Sequence, residues 1–196
     1  MPPLYVSDSA AALVFWILFV GWTLVEMATY FRLRRAPPAR KRDRGSLVVL
    51  IAGYWLALFL AFAFAFVATF AAIGWHRHAI FYTGMGMLLG GLLLRQYAIV
   101  TLGRLHTLDV TTRPAQPVVE IGPYRWVRHP SYAGAMLTAA GILLCSTNWL
   151  SLTCYALVVS AYGYRIWIEE SALAADLGEP YRAYMRRTKR LIPYLI

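Results

Sequence analysis

At 196 residues the chain has the length of one domain, and 60% of its residues are hydrophobic against 14% charged. That balance excludes an ordinary soluble domain and predicts an all-α, polytopic membrane protein, because the apolar runs reach the roughly 20 residues a helix needs to cross a bilayer. The formal charge of +10 sits mostly in short loops flanking apolar segments, so anionic lipid headgroups, and not nucleic acid, are the natural counter-charge.

The first span is predicted from about Ala11 to Phe31, with no basic segment before it to mark a cleaved leader. Glu26 lies inside it and reads as a carboxylate reaching the interface or pairing with a neighbouring helix. A basic loop follows, Arg32 to Arg44 around Pro37-Pro38, which is cytoplasmic by charge. The second span, about Leu47 to Ile73, contains Ala-Phe alternation at 61–66. A lone strand cannot satisfy its backbone in lipid, so this stretch is read as helix. Two histidines at 76 and 78 point away from each other on a helix and have no cysteine or carboxylate beside them, so no metal site is expected there.

The third span, about Ala79 to Thr101, carries Gly84, Gly86, Gly90 and Gly91, a small-residue face suited to tight helix packing. Arg95 near its end either reaches the interface or meets an internal partner such as Glu26. Leu102 to Ile121 is a long polar connection, and connections of that length are disproportionately functional. A fourth span from about Tyr132 to Cys145 and a fifth from about Trp149 to Ile168 form a hairpin around Ser146-Thr147-Asn148. Cys145 and Cys154 read as small apolar residues, with a disulfide across that turn as the alternative. An amphipathic helix then runs to Gly178, and a basic tail closes the chain. Five spans with the N-terminus outside bring the long loop, the 122–134 run and the tail to the cytoplasmic face.

The chemistry concentrates in Gly122-Pro123-Tyr124-Arg125-Trp126-Val127-Arg128-His129-Pro130-Ser131-Tyr132-Ala133-Gly134. Pro130 suits the first turn of a helix with His129 just outside it, which gathers Arg128, His129 and helix N–H groups around a point favouring an anion. A basic loop touching lipid headgroups is the competing reading. Arg165 and Glu169, spaced i, i+4, share a helix face emerging at the same side.

The 122–134 run resembles the RHPxYxG core of the isoprenylcysteine carboxyl methyltransferase family. Glu169-Glu170, Gly178-Glu179-Pro180-Tyr181-Arg182-Ala183-Tyr184 and Thr188-Lys189-Arg190-Leu191-Ile192-Pro193 are similar to its EE, G-x-x-Y-x-x-Y and T-x-R-L-x-P tail. The resemblance covers about Gln116 to Pro193, and it divides a single domain into three N-terminal spans (1–101) and a cofactor-binding half (102–196).

It implies methyl transfer from S-adenosylmethionine, leaving S-adenosylhomocysteine, to a lipophilic acceptor. Gln116, Pro117, Val118 and Val119 would line the cofactor, and Tyr124, Arg128, His129, Pro130, Ser131 and Tyr132 would continue its pocket. Glu169, with Glu170 beside it, would hold the cofactor's amino group, and Arg165 takes the substrate-side arginine position. The family often has histidine where Gln116 stands, so His106 is the other candidate for that contact. A carboxylate is already ionised at neutral pH and needs no base, whereas an amine acceptor requires one. Carboxyl methylation therefore leads, with amine or phospholipid-headgroup methylation and a non-catalytic holder of anionic lipid as alternatives.

Overall fold

The computed structural model describes residues 1–34, 40–41, 43–108, 111–112 and 117–194. Eight α-helices follow one another among them: α1 (Leu4–Ser7), α2 (Ser9–Arg34), α3 (Ser46–Val67), α4 (Arg77–Leu102), α5 (Pro130–Cys145), α6 (Trp149–Thr153), α7 (Tyr155–Leu177) and α8 (Glu179–Arg187). The remaining regular structure is three short 3₁₀ turns and a two-residue antiparallel ladder joining Arg40–Lys41 to Thr111–Thr112. That ladder brings the first basic loop and the long loop together.

Three helices, α2, α3 and α4, are long and apolar enough to cross a membrane, and α5 is a shorter apolar helix. The Ala-Phe alternation at 61–66 lies within α3, as backbone satisfaction in lipid demands. The second span stops at Val67, six residues before its expected end, because Ala68 leaves helical geometry and a 3₁₀ turn covers Thr69–Ala71. Asn148 fixes the next turn on two sides. Its side-chain oxygen accepts the Leu150 and Ser151 N–H groups at 2.9 and 3.1 Å, and its amide donates to Ala68 O at 2.8 Å. The expected fifth span is divided between α6 and α7, and α7 runs unbroken through the charged positions to Leu177. Both cysteines are free thiols, so no disulfide crosses the turn.

The tightest seam is α4 against α5, and it is made by glycines. A methyl group on Gly91 would stand 2.5 Å from Gly134 O, and one on Gly84 would stand 2.7 Å from Gly141 O. Gly86 and Gly90 meet nothing within 4 Å. Only half of the predicted small-residue face therefore serves this contact. The close approach sets the start of α5, and with it the Arg128–Tyr132 segment, against the end of α4.

Glu26 and Arg95 find each other across α2 and α4, with Arg95 Nε donating to Glu26 Oε1 at 2.7 Å. The same guanidinium donates to Ser131 Oγ at 3.0 Å, so an ion pair ties both helices to the beginning of α5. Internal pairing is how a charge is tolerated at membrane depth.

Candidate active site

Residues 122–134 are held in place by the end of the chain. Gly122, at φ +56, opens a 3₁₀ turn over Gly122–Arg125, and the backbone then extends to His129, which precedes Pro130 at the first helical position of α5. This is the arrangement expected from the two prolines. Along the extended stretch the Arg128 N–H donates to Lys189 O at 2.8 Å, and the His129 N–H donates to Arg190 O at 3.0 Å. From α8, the Tyr184 hydroxyl donates to Tyr124 O at 2.6 Å. The tail is therefore a structural part of the site.

Glu170 sits at the centre of this junction. Its carboxylate accepts from Arg128 Nε at 2.8 Å and Arg190 Nε at 3.0 Å, and His129 Nε2 lies 3.3 Å away. Arg128 also donates to the carbonyls of Met185, at 3.1 Å, and Thr188. The anion that Arg128 and His129 were expected to attract is thus supplied by the chain's own Glu170. Burial opposes ionisation of Glu170, but hydrogen bonds from His129 and Arg128 outweigh it and hold its carboxyl down at about 2.

A cavity opens between these segments. Pro117, Val118, Val119, Tyr124, Arg128, His129, Ser131, Tyr132, Arg165 and Glu169 line it, and so does His106 from the long loop. Arg128 and Glu169 line one cavity despite being 41 residues apart in the chain. Pro130 and Glu170 do not line it: Pro130 is buried as the first residue of α5, and Glu170 is turned into the ion-pair junction. Gln116 lies outside the described residues. His106 is half-buried, and burial together with Arg95, Arg32 and Arg165 pushes its imidazole down to about 3, so it is neutral. Trp126 does not reach the cavity; it is 46% exposed and carries the Arg125 guanidinium 4.7 Å above its ring. Tyr181 and Tyr184 do line it, through the Y-x-x-Y spacing of α8 to which sequence reasoning gave no role.

A second and larger cavity, about 510 Å³ against about 100 Å³, lies between α2, α3 and α7. Its wall is mostly apolar, with Trp22, Leu50, Tyr54 and Trp55 among its residues and the Glu26–Arg95 pair on one side. His106, Thr107, Tyr132 and Arg165 line both cavities. At this junction the Tyr132 hydroxyl accepts from Arg165 Nε at 3.2 Å and donates to Glu169 Oε2 at 2.5 Å. Its ring lies parallel to that of His129, with centroids 5.4 Å apart. Arg165 is 2% exposed and also meets Asp43, Ser46 and the Leu108 carbonyl. The i, i+4 spacing puts Arg165 and Glu169 on one helix face, where a direct ion pair could form. The structure places Tyr132 between them and supplies the counter-charge from Asp43, a residue no motif marks.

Comparison with known proteins points to one family. Residues 84–175 match the model of the isoprenylcysteine carboxyl methyltransferase (ICMT) family. A probable protein-S-isoprenylcysteine O-methyltransferase of Oryza sativa subsp. indica is 30% identical over 117 residues, 58% of this chain and 61% of that protein. Protein-S-isoprenylcysteine O-methyltransferase B of Arabidopsis thaliana is 31% identical over 115 residues, covering 57% and 58%. The Xenopus laevis protein-S-isoprenylcysteine O-methyltransferase is 33% identical over 117 residues, covering 57% and 40%. The matches thus span about three fifths or less of these relatives' length. A solved structure of the eukaryotic intramembrane Ras methyltransferase ICMT superposes with a TM-score of 0.54 at 28% identity, covering 75% of this chain and 52% of that one. The likeness extends from sequence to helical arrangement: residues 84–175, just under half of the chain, match the isoprenylcysteine carboxyl methyltransferase family model, and the helices are arranged similarly to those of the solved Ras methyltransferase.

Proposed function

We propose that the chain is an S-adenosylmethionine-dependent methyltransferase acting on a lipophilic carboxylate that enters from the bilayer. One observation carries this reading: a cavity of mixed lining, with Arg128, His129, Arg165 and Glu169 in its wall, and a larger, mostly apolar cavity meet at Tyr132 and Arg165. A donor with charged ends and an acceptor with a long apolar tail require those two environments side by side. The family match and the relatives named above support the same chemistry.

The first cavity fits the methyl donor in chemical character. Glu169 offers a carboxylate for an ammonium, and Arg128, His129 and Ser131 offer donors. Tyr124 and Tyr181 offer aromatic faces for a ring or a sulfonium. Pro117, Val118 and Val119 would complete the wall. S-adenosylmethionine, when bound, supplies an activated methyl group on sulfur.

The chain's own residues align the partners and exclude water, which is where the rate of an in-line displacement is gained. Arg165 orients the acceptor carboxylate at the junction. Tyr132, tied to both Arg165 and Glu169, couples the acceptor end to the donor end. The carboxylate oxygen contributes the electron pair and no proton moves, so no general base is required. The basic loops orient the N-terminus outside and the site toward the cytoplasm. The 196 residues act as a single membrane domain.

Purified protein in liposomes, supplied with labelled S-adenosylmethionine and an S-prenylated N-acetylcysteine, is expected to form a base-labile methyl ester. Transfer only to amine acceptors under the same conditions would replace carboxyl methylation with N-methylation. Absence of saturable S-adenosylhomocysteine binding by calorimetry would remove the enzyme reading altogether.

A further inference from the structure

Arg165 stands where the two cavities join, and an arginine there is useful only if its guanidinium is held in one orientation. Three of its contacts come from residues 43–46 and 108 rather than from its own helix. Nη1 donates to Asp43 Oδ1 and to Ser46 Oγ, the latter at 2.7 Å, and Nη2 donates to Leu108 O at 2.5 Å. With Nε on the Tyr132 hydroxyl, four of the five N–H groups of the guanidinium are committed among the described residues.

Asp43 is itself fixed by backbone. Its Oδ2 accepts the Leu47 N–H at 3.1 Å, its Oδ1 accepts the Ser46 hydroxyl at 2.9 Å, and its carbonyl accepts the Ser46 N–H at 2.9 Å. The residue therefore closes the first turn of α3, with its side chain 3% exposed. A carboxylate built into a helix start is not free to swing away when an acceptor arrives. It acts as a guide for the guanidinium and not as a plug. Asp43 also lies outside residues 84–175, on the part of the chain that forms the apolar cavity.

We propose that Asp43 is a positioning residue, with Ser46 as its support: it holds Arg165 at the junction of the two cavities so that the remaining Nη2 N–H meets one oxygen of the acceptor's carboxylate. The proposal rests on the methyltransferase reading above. It makes the start of α3 part of acceptor recognition while leaving donor binding to the segments after Leu102.

Asp43→Asn keeps the shape and one oxygen for the Leu47 N–H, but it removes the charge and turns the oxygen facing Arg165 into an N–H donor. With an S-prenylated N-acetylcysteine and labelled S-adenosylmethionine, its acceptor KM is expected to rise by about tenfold or more, the scale of one charged hydrogen bond. Calorimetric affinity for S-adenosylhomocysteine should stay within about twofold. In an Arg165→Lys background the same change should add little, because the geometry it protects is already gone. Ser46→Ala, which leaves the charge pair in place, should move acceptor KM in the same direction by less and serves if Asp43→Asn does not fold.

An unchanged or lowered acceptor KM in an active protein would overturn the proposal, the lowered value marking Asp43 as a competitor of the substrate. Parallel loss of S-adenosylhomocysteine affinity in both variants would overturn it too, by showing a general structural role. A wild-type protein that transfers no methyl group would overturn the underlying functional reading, and the proposal with it.

Discussion

The two cavities are built by different means. The smaller is enclosed by backbone pairing and charge: residues 127–129 against the tail, and Glu170 among Arg128, Arg190 and His129. The larger is enclosed by apolar helices, into which the Glu26–Arg95 and Asp43–Arg165 pairs are set. A pocket for a charged small molecule must be rigid in its polar geometry, whereas a pocket for an acyl or prenyl-like chain needs mainly area and access. The contrast explains why the first is made of closely spaced motifs and the second of ordinary membrane helices. Among the described residues, charged groups in the second appear only where it meets the first or where helices must be tied together.

Perturbing the polar enclosure should have the largest effect. Glu170→Ala leaves Arg128, whose side chain is only 8% exposed, without its counter-charge. A loss of about 3–5 kcal/mol in stability is expected, read as a lower thermal midpoint in detergent together with loss of S-adenosylhomocysteine binding. A variant that binds the product normally would separate Glu170 from the donor pocket.

The α4–α5 seam supports both cavities and should respond next. Gly91→Ala forces a methyl against Gly134 O and Thr138 N, both 2.5 Å from it, and should cost about 1–3 kcal/mol. Gly90→Ala, one residue away with nothing within 4 Å, should be neutral or stabilising by up to about 1 kcal/mol. Equal midpoints for the two variants would contradict the packing account.

Within the smaller cavity, Glu169→Gln removes one charge and keeps the Tyr132 contact. It should weaken S-adenosylhomocysteine by about tenfold, from the loss of one charge-assisted hydrogen bond, while leaving the fold intact. An unchanged affinity would mean that the ammonium is held elsewhere.

Acid should act on the side of the smaller cavity. The folded-state pKa values of Glu170 and His106 are both depressed, to about 2 and about 3. Protons therefore bind more readily to the unfolded chain in each case. The His106 contribution to stability begins to fall as pH drops through about 6.5 and the Glu170 contribution through about 4.5, each continuing down to the folded value. Thermal midpoints should decline from pH 7 toward pH 4. His106→Asn should flatten the upper part of that decline, and a His106→Asn profile identical to wild type would show that its neutral state adds nothing.

How far the sequence could be read follows the same division. Pro130 at the start of α5, the shared cavity of Arg128 and Glu169, and the Glu26–Arg95 pair were all legible, because proline geometry, motif spacing and the cost of a buried charge are local or strongly constrained. Asp43 was not, since a carboxylate in a basic loop looks like any solvated charge until the fold buries it. The use of Arg128 by Glu170 was also hidden. Arginine beside a helix start suits an anion, but only tertiary structure shows which anion arrives. Nor does periodicity distinguish Gly91, which meets α5, from Gly90, which does not.

The central claim is that the donor and acceptor sites are two chambers sharing one wall at Tyr132 and Arg165. A structure of the protein with S-adenosylhomocysteine and an S-prenylated N-acetylcysteine bound together tests it most directly. The account predicts the nucleoside product beside Tyr124 and Glu169, the prenyl chain among Trp22, Tyr54 and Trp55, and the carboxylate on Arg165. A prenyl chain bound away from the α2–α3 cavity, or a carboxylate out of reach of Arg165, would contradict it.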